Sequence, residues 1–123
     1  MANLATWSVA LSFQGANGVL SKPLVVSGTD APSGSGFGSG VLVVPITTAA
    51  AIPLGGLTGL GTIAIVNRDP TNFITILTGT GGVVMAKLNP GKAMLLPTGS
   101  GVTAPFWLAD TATCLAEILF LEP

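Results

Sequence analysis

Residues 62–77 have the sequence TIAIVNRDPTNFITIL, in which two short apolar runs flank a polar turn signal. Each run alternates in the two-residue period that is typical of a β-strand with one buried face. Between the runs, the carboxylate of Asp69 can accept hydrogen bonds from nearby backbone N–H groups, and Pro70 presets φ for a type I turn. The stretch therefore predicts two strands joined as a hairpin, with Arg68 and Asp69 as solvated charges at its tip.

Similar punctuation continues along the chain. Pro90 and Gly91 in NPGK fit the central positions of a type II turn, and GTGG (79–82) and TGSG (98–101) are weaker turn signals. Turn signals recur about every eight to twelve residues, and no stretch sustains the helical period between caps. The sequence predicts one all-β domain over residues 1–123. Its expected architecture is a single-domain, jelly-roll-like β-sandwich of about eight antiparallel strands.

The alternation also predicts which side chains form the core, although a slip of one residue in any strand would exchange its two faces. Cys114 is expected to be a small buried residue, because no histidine is present to activate its thiol. The predicted inward-facing residues are Ile63, Ile65, Ile74, Ile76, Leu88, Leu95, Ile118 and Phe120.

Three other segments complete the organisation. Asn17 and Gly18, between two N-terminal apolar runs, predict a further tight hairpin. Residues 28–40 are predicted to be a mobile Gly/Ser loop, and residues 49–60 an irregular apolar segment interrupted by proline and glycine. Both segments are expected to contact a partner. The predicted contact residues are Phe37, Leu54, Leu57 and Leu60.

The chain has unusually little charge. Four basic and five acidic residues make up 7 % of its 123 residues, where about 25 % is ordinary. Hydrophobic residues account for 49 %, and the mean hydropathy is +0.76. An uncharged surface tends to associate, so we expect a homo-oligomer. With so few basic residues, we expect no nucleic-acid partner.

A membrane span is the main alternative to the all-β prediction. Residues 31–66 carry no charge and are long enough to cross a bilayer. However, Pro45, Pro53 and several glycines interrupt this stretch, and no cluster of basic residues flanks it. We therefore expect no membrane partner.

The sequence also gives no sign of catalysis. Histidine is absent, and the five carboxylates are scattered without a spacing that suggests acid–base work. Glu117 is expected to point outward or to pair with Arg68 or Lys87. A G-x-G-x-x-A match at residues 59–64 precedes a predicted strand, whereas a dinucleotide fingerprint follows one. We expect a non-enzyme with no cofactor and no metal.

Three stretches of the second half resemble a family of small virion proteins of tailed bacteriophages. They are IAIVNRDPTNFITI, AKLNPGKAMLL and ADTATCLAEILFLE, and the resemblance covers about residues 61–123. Lys92 departs from the family pattern, in which an acidic residue is expected after the Pro-Gly turn.

The resemblance implies a jelly-roll structural protein of the virion. The expected function is to decorate or cement the capsid shell through mainly apolar contacts, as a homo-oligomer bound to the major capsid protein. A homotrimer is expected because such proteins often sit on local three-fold axes. The protein would be made in the host cytoplasm and reside on the capsid surface of the virion. The alternative is a tail or fibre-tip component that binds a receptor or glycan.

Overall fold

The computed structural model describes residues 4–12, 24–30, 37–55, 60–102 and 104–122. Within these ranges the chain is all-β, with antiparallel sheets and no helical segment. Among the described residues, none belongs to a helix with the length and hydrophobicity needed to cross a bilayer. The strands are β1 (Ala5–Leu11), β2 (Leu24–Asp30), β3 (Phe37–Val44), β4 (Ala50–Ala51), β5 (Leu60–Asn67), β6 (Ile74–Leu77), β7 (Val84–Leu88), β8 (Ala93–Val102), β9 (Phe106–Ala109) and β10 (Cys114–Leu121).

Strands β3 to β10 form a sandwich of two four-stranded sheets. One sheet has the strand order β3-β10-β5-β8, and the other has the order β4-β9-β6-β7. The first of the eight strands therefore pairs with the last, the second with the seventh, the third with the sixth and the fourth with the fifth, all antiparallel. This nested pairing is that of a long hairpin rolled over itself, which is the jelly-roll arrangement. The predicted all-β sandwich of about eight strands is confirmed.

Strands β1 and β2 form a separate two-stranded ribbon, which we call the hairpin arm. Its antiparallel ladder runs from the pair Ala5–Asp30 to the pair Leu11–Leu24. The pairing of the two N-terminal runs is therefore confirmed, whereas the predicted turn at residues 17 and 18 lies outside the described residues.

The core lies between the two sheets and follows the two-residue period of the strands. In β10 every second side chain from Cys114 to Phe120 is buried, and β5 alternates in the same way. Removing these apolar side chains from water is the main favourable contribution to folding. The core residues are Val44, Ile52, Leu60, Ile63, Ile65, Ile74, Ile76, Leu88, Trp107, Ala109, Cys114, Ala116, Ile118 and Phe120.

Seven of the eight predicted inward-facing residues, and Cys114, are buried in this core. The prediction is wrong for Leu95. The ladder between β5 and β8 sets Leu95 opposite Ala64, whereas Leu96 lies opposite Ile63. Leu96 and its alternate neighbour Met94 are the residues that pack against the core. The predicted face of β8 is therefore shifted by one residue, which moves Leu95 to the other side of the sheet.

Both of the stronger turn predictions are confirmed. Oδ1 of Asp69 accepts a hydrogen bond from the backbone N–H of Asn72 at 2.6 Å. In the second turn, Gly91 has a φ of 75°, and the N–H of Lys92 donates to the carbonyl of Asn89 at 2.9 Å. Only a residue that tolerates positive φ suits this position of a type II turn, which accounts for the glycine.

The turn after β5 does not, however, join a hairpin. Strand β5 pairs with β10 on one side and β8 on the other, while β6 pairs with β7 and β9 in the opposite sheet. The predicted hairpin over residues 62–77 is therefore wrong, and Arg68 and Asp69 lie on a corner that crosses between the sheets. Each run buries its apolar side chains in the core, as predicted, but the two strands belong to opposite sheets of the sandwich.

Three further segments differ from the sequence prediction. Strand β8 runs through residues 98–101, where a turn was expected, and its register with β5 shifts between Leu60 and Thr62. The predicted loop over residues 28–40 is wrong at its two ends, which belong to β2 and β3, and its middle, residues 31–36, lies outside the described residues. The predicted irregular segment contains β4, whose two residues pair with β9 and precede the buried Ile52.

Asn67 joins the two sheets through its side chain. It is the last residue of β5 and is completely buried. Its amide nitrogen donates to the carbonyls of Asn72 and Leu88 at 2.9 and 2.8 Å, and its Oδ1 accepts from the N–H of Asp69 at 2.9 Å. A buried amide requires such partners, and all of these lie beyond its own sheet.

The backbone of Asn67 also forms hydrogen bonds with the turn between β7 and β8. Its N–H donates to the carbonyl of Lys92 at 2.9 Å, and its carbonyl accepts from the N–H of Gly91 at 3.0 Å. One residue therefore fixes the corner between β5 and β6 and the corner between β7 and β8.

We expect the substitution Asn67→Ala to lower the free energy of unfolding by about 3 kcal/mol. It leaves the carbonyls of Asn72 and Leu88 and the N–H of Asp69 without their side-chain partner, and it opens a small cavity. Urea denaturation monitored by tryptophan fluorescence measures the change. The matched control is Asn89→Ala, an exposed residue of the neighbouring turn, for which we expect a change within about 0.5 kcal/mol. Equal stability of Asn67→Ala and the wild type would contradict the role assigned to this side chain.

Candidate interaction surfaces

The sheet β3-β10-β5-β8 presents an apolar face to solvent. Leu115 and Leu119 alternate with the buried residues of β10, and Val43 lies directly opposite Leu115 on β3. Val41 lies two residues before Val43 on the same side of β3. These four side chains are 48 to 61 % exposed. We call this set, Val41, Val43, Leu115 and Leu119, the outer face.

The charge on the outer face is internally balanced. Nε of Arg68 donates to Oε2 of Glu117 at 2.7 Å, and Nη2 of Arg68 lies 2.5 Å from the same oxygen. Both side chains are about half exposed, so solvent screens the pair and it adds little to stability. The pair does make the outer face electrically neutral. The same surface has a shallow groove of about 380 Å³, lined partly by Val41, Ala64 and Leu119.

The hairpin arm has one apolar and one polar face. Residues that are directly opposite in the ladder share a face, which places Val9 with Val26 and Leu11 with Leu24. These four side chains are 40 to 69 % exposed. The opposite face, which we call the polar face, pairs the hydroxyl residues Thr6 with Thr29 and Ser8 with Ser27. It also carries one apolar pair, Ala10 with the exposed Val25. We call Trp7, Val9, Leu11, Leu24 and Val26 the arm face.

Trp7 closes one end of the arm face. It lies opposite Gly28 in the ladder, and a Cβ on this glycine would overlap the indole ring. The ring therefore lies over the glycine backbone, and a larger residue at position 28 would displace it.

A third apolar surface lies at the start of β7, which is an edge strand of its sheet. The register with β6 shifts between Ile76 and Leu77, so Met85 is an extra residue in the ladder. Such a bulge redirects neighbouring side chains, and Val83, Val84 and Met85 are 47 to 73 % exposed. We call these three residues the β7 edge.

The predicted contact residues lie elsewhere. Leu60 is wrong as a contact residue, because it is completely buried in the core at the start of β5. Leu54 is half-buried and packs against the core. Phe37 is the first residue of β3, in the ladder opposite Leu121, and Leu57 lies outside the described residues.

Sequence reasoning missed the outer face and the β7 edge. A signal for the outer face is present in β10, where CLAEILFL is apolar at every position but one. A continuous apolar run is typical of a strand that is covered on both faces. The β7 edge carries no comparable signal, because its exposure depends on a bulge.

The side chains considered for catalysis have structural roles in the described part of the chain. Glu117 pairs with Arg68, which is one of its two expected ion-pair partners. The Nζ of Lys87 instead lies 3.7 Å from the centre of the Phe73 ring. Backbone N–H groups of Asn72 and Thr71 hold the pKa of the Asp69 carboxyl below its usual value. Across the described residues, no group of His, Cys, Asp and Glu side chains could hold a metal ion.

Together, the fold and these surfaces define an all-β jelly-roll module that exposes several apolar surfaces. Comparison with known proteins adds no relative: no protein-family model, no curated protein and no solved structure matches this chain.

Asp69 predicts a component of the acid sensitivity of the fold. A carboxylate with a lower pKa in the folded state stabilises the fold above its unfolded pKa, about 3.9, and this stabilisation is lost as pH falls through the lower folded value. We expect Asp69→Asn to have a shallower loss of stability than the wild type over this acid range. Urea titrations at several pH values measure the slope. Asn89→Ala, which removes no carboxylate, is the control and should keep the wild-type slope; the same slope in Asp69→Asn would refute the assignment.

Cys114 is expected to be unreactive in the native protein. The thiol is buried, and desolvation raises its pKa, so little thiolate is present to attack a reagent. Iodoacetamide should label it only after unfolding in urea, as followed by mass spectrometry. A Ser27→Cys variant provides an exposed comparison thiol that should react at once. If Cys114 and the cysteine introduced at position 27 were labelled at equal rates in the folded protein, Cys114 would be accessible.

Proposed function

We propose that this protein is a structural subunit that decorates or cements the capsid shell of a tailed bacteriophage. The observation that carries the proposal is the exposure of uncharged apolar surfaces, including the β7 edge, by a protein with nine charged residues. Large apolar surfaces of this kind mark sites of protein association. The turn motifs of residues 61–123 are the reason for choosing the phage capsid as the assembly.

The proposed attachment uses the β7 edge against the major capsid protein. An exposed apolar edge strand is prone to pair with another chain, and soluble proteins usually protect such edges. Lys87, whose charge would otherwise protect this edge, is folded over the ring of Phe73, the residue before β6. Repetition of a weak contact by a homo-oligomer, a trimer in our proposal, then gives strong attachment to a repeating lattice through avidity.

Copy number in purified virions tests the proposal. Quantitative gel densitometry against the major capsid protein should give hundreds of copies in each particle, in agreement with a decoration protein. A dozen copies or fewer would contradict it and would favour the tail or fibre-tip alternative. Reproducible, competable binding to a glycan array would favour the same alternative.

A binding experiment tests the attachment surface. We expect shells lacking the protein to bind the wild type but to lose at least ten-fold in affinity for Met85→Asp, because the charge would be desolvated at the contact. The control Ser27→Asp adds the same charge to the polar face of the hairpin arm and should bind like the wild type. Because apolar contacts are not screened, moderate salt should release little protein. Complete release by salt alone, or equal binding of Met85→Asp, would contradict the attachment proposed.

A further inference from the structure

We infer that the hairpin arm of one copy docks through its arm face on the outer face of a second copy of this chain. The inference concerns contacts between copies and does not depend on attachment to a capsid shell. In one chain both faces are exposed at once, so the chain does not cover one with the other. A two-stranded ribbon on its own is at best marginally stable in water, and the arm therefore needs a surface to pack against.

The two faces match in dimensions and in apolar content. The seven-residue strands of the arm make a ribbon roughly 24 Å long, and the eight-residue strands β3 and β10 of the outer face extend roughly 27 Å. On each face, the exposed fractions of the four aliphatic side chains add up to about two whole side chains. Sheets pack face to face when such apolar surfaces interdigitate.

Their charges match as well. None of the five residues of the arm face is charged, and the Arg68–Glu117 pair neutralises the outer face. Neither face therefore requires a counter-charge from its partner. A contact between two neutral apolar faces buries no unpaired charge. It therefore avoids the large free-energy cost of removing such a charge from water.

The surface area of the chain supports a second copy as the occupant. The accessible surface is 7459 Å², about 1,400 Å² more than the roughly 6,000 Å² expected of a compact 12.2 kDa protein. A standard interface takes about 800 Å² from each partner. The surplus is close to the roughly 1,600 Å² that a subunit would contribute if it donated one arm and received another. Every copy carries both faces in equal number, so a ring of such contacts can close.

Sedimentation of the full chain with four variants tests the inference. We expect the wild type to sediment as a closed oligomer, and Leu24→Asp and Leu115→Asp, one on each face, to sediment as 12.2 kDa monomers. Ser27→Asp, on the polar face of the arm, and Met85→Asp, on the other sheet, should keep the wild-type mass. A monomeric wild type at micromolar concentration, or an unchanged mass for Leu24→Asp, would overturn the inference.

Photo-crosslinking identifies the occupant without weakening the contact. p-Benzoylphenylalanine replacing Leu24 should crosslink an isotopically labelled second copy at β3 or β10, whereas the same group replacing Ser27 should not. Crosslinks to a second copy's arm, or only within one chain, would overturn docking on the outer face.

The two proposals fail separately. A monomer that still binds capsid shells would refute the arm contact and leave the shell proposal standing. An oligomer that binds no shell would refute the shell proposal and leave the arm contact standing.

Discussion

The fold depends on the buried amide of Asn67. Rolling a long hairpin into two sheets requires the chain to leave one sheet and enter the other at defined residues, and two of these corners meet at Asn67. Its side chain and backbone together bond to the corner after β5, the end of β7 and the corner before β8. An apolar side chain there would fill the space and leave those backbone groups unpaired, so the position selects for an amide.

The corners also determine which surfaces remain apolar. The chain crosses to the other sheet after Asn67, so β6 does not pair with β5. Strand β5 pairs instead with β8 and β10, and β10 lies in the interior of the sheet, between β3 and β5. One face of β10 packs on the core, and its other face carries the exposed side chains of Leu115 and Leu119. Arg68, the first residue of the corner, reaches Glu117 on β10 and balances its charge. The corner that fixes the fold thus also keeps the outer face neutral.

The sequence predicted the positions of most strands and turns well, but it predicted poorly which strands pair with each other. Alternation in TIAIVN and FITIL identified the inward residues, and Asp69, Pro70 and Gly91 carried local turn chemistry that does not depend on the rest of the chain. Whether two strands pair or face each other depends on distant contacts, such as that between Asn67 and Leu88, 21 residues apart in the chain. The shift of Leu95 and the burial of Leu60 have the same origin, because register is set by the neighbouring strand.

The distribution of charge means that any association of this protein would depend on shape. In the described part of the chain, at least four charged residues make contacts within the fold: Arg68 pairs with Glu117, Asp69 binds backbone N–H groups of its turn, and Lys87 lies over Phe73. These charges contribute little field beyond the subunit, so long-range steering toward a partner is weak. Specificity then has to come from the fit of strand-wide apolar faces, and the register of each sheet sets the spacing of the side chains on them. In this protein the same ladders that define the fold therefore also define what its surfaces can recognise.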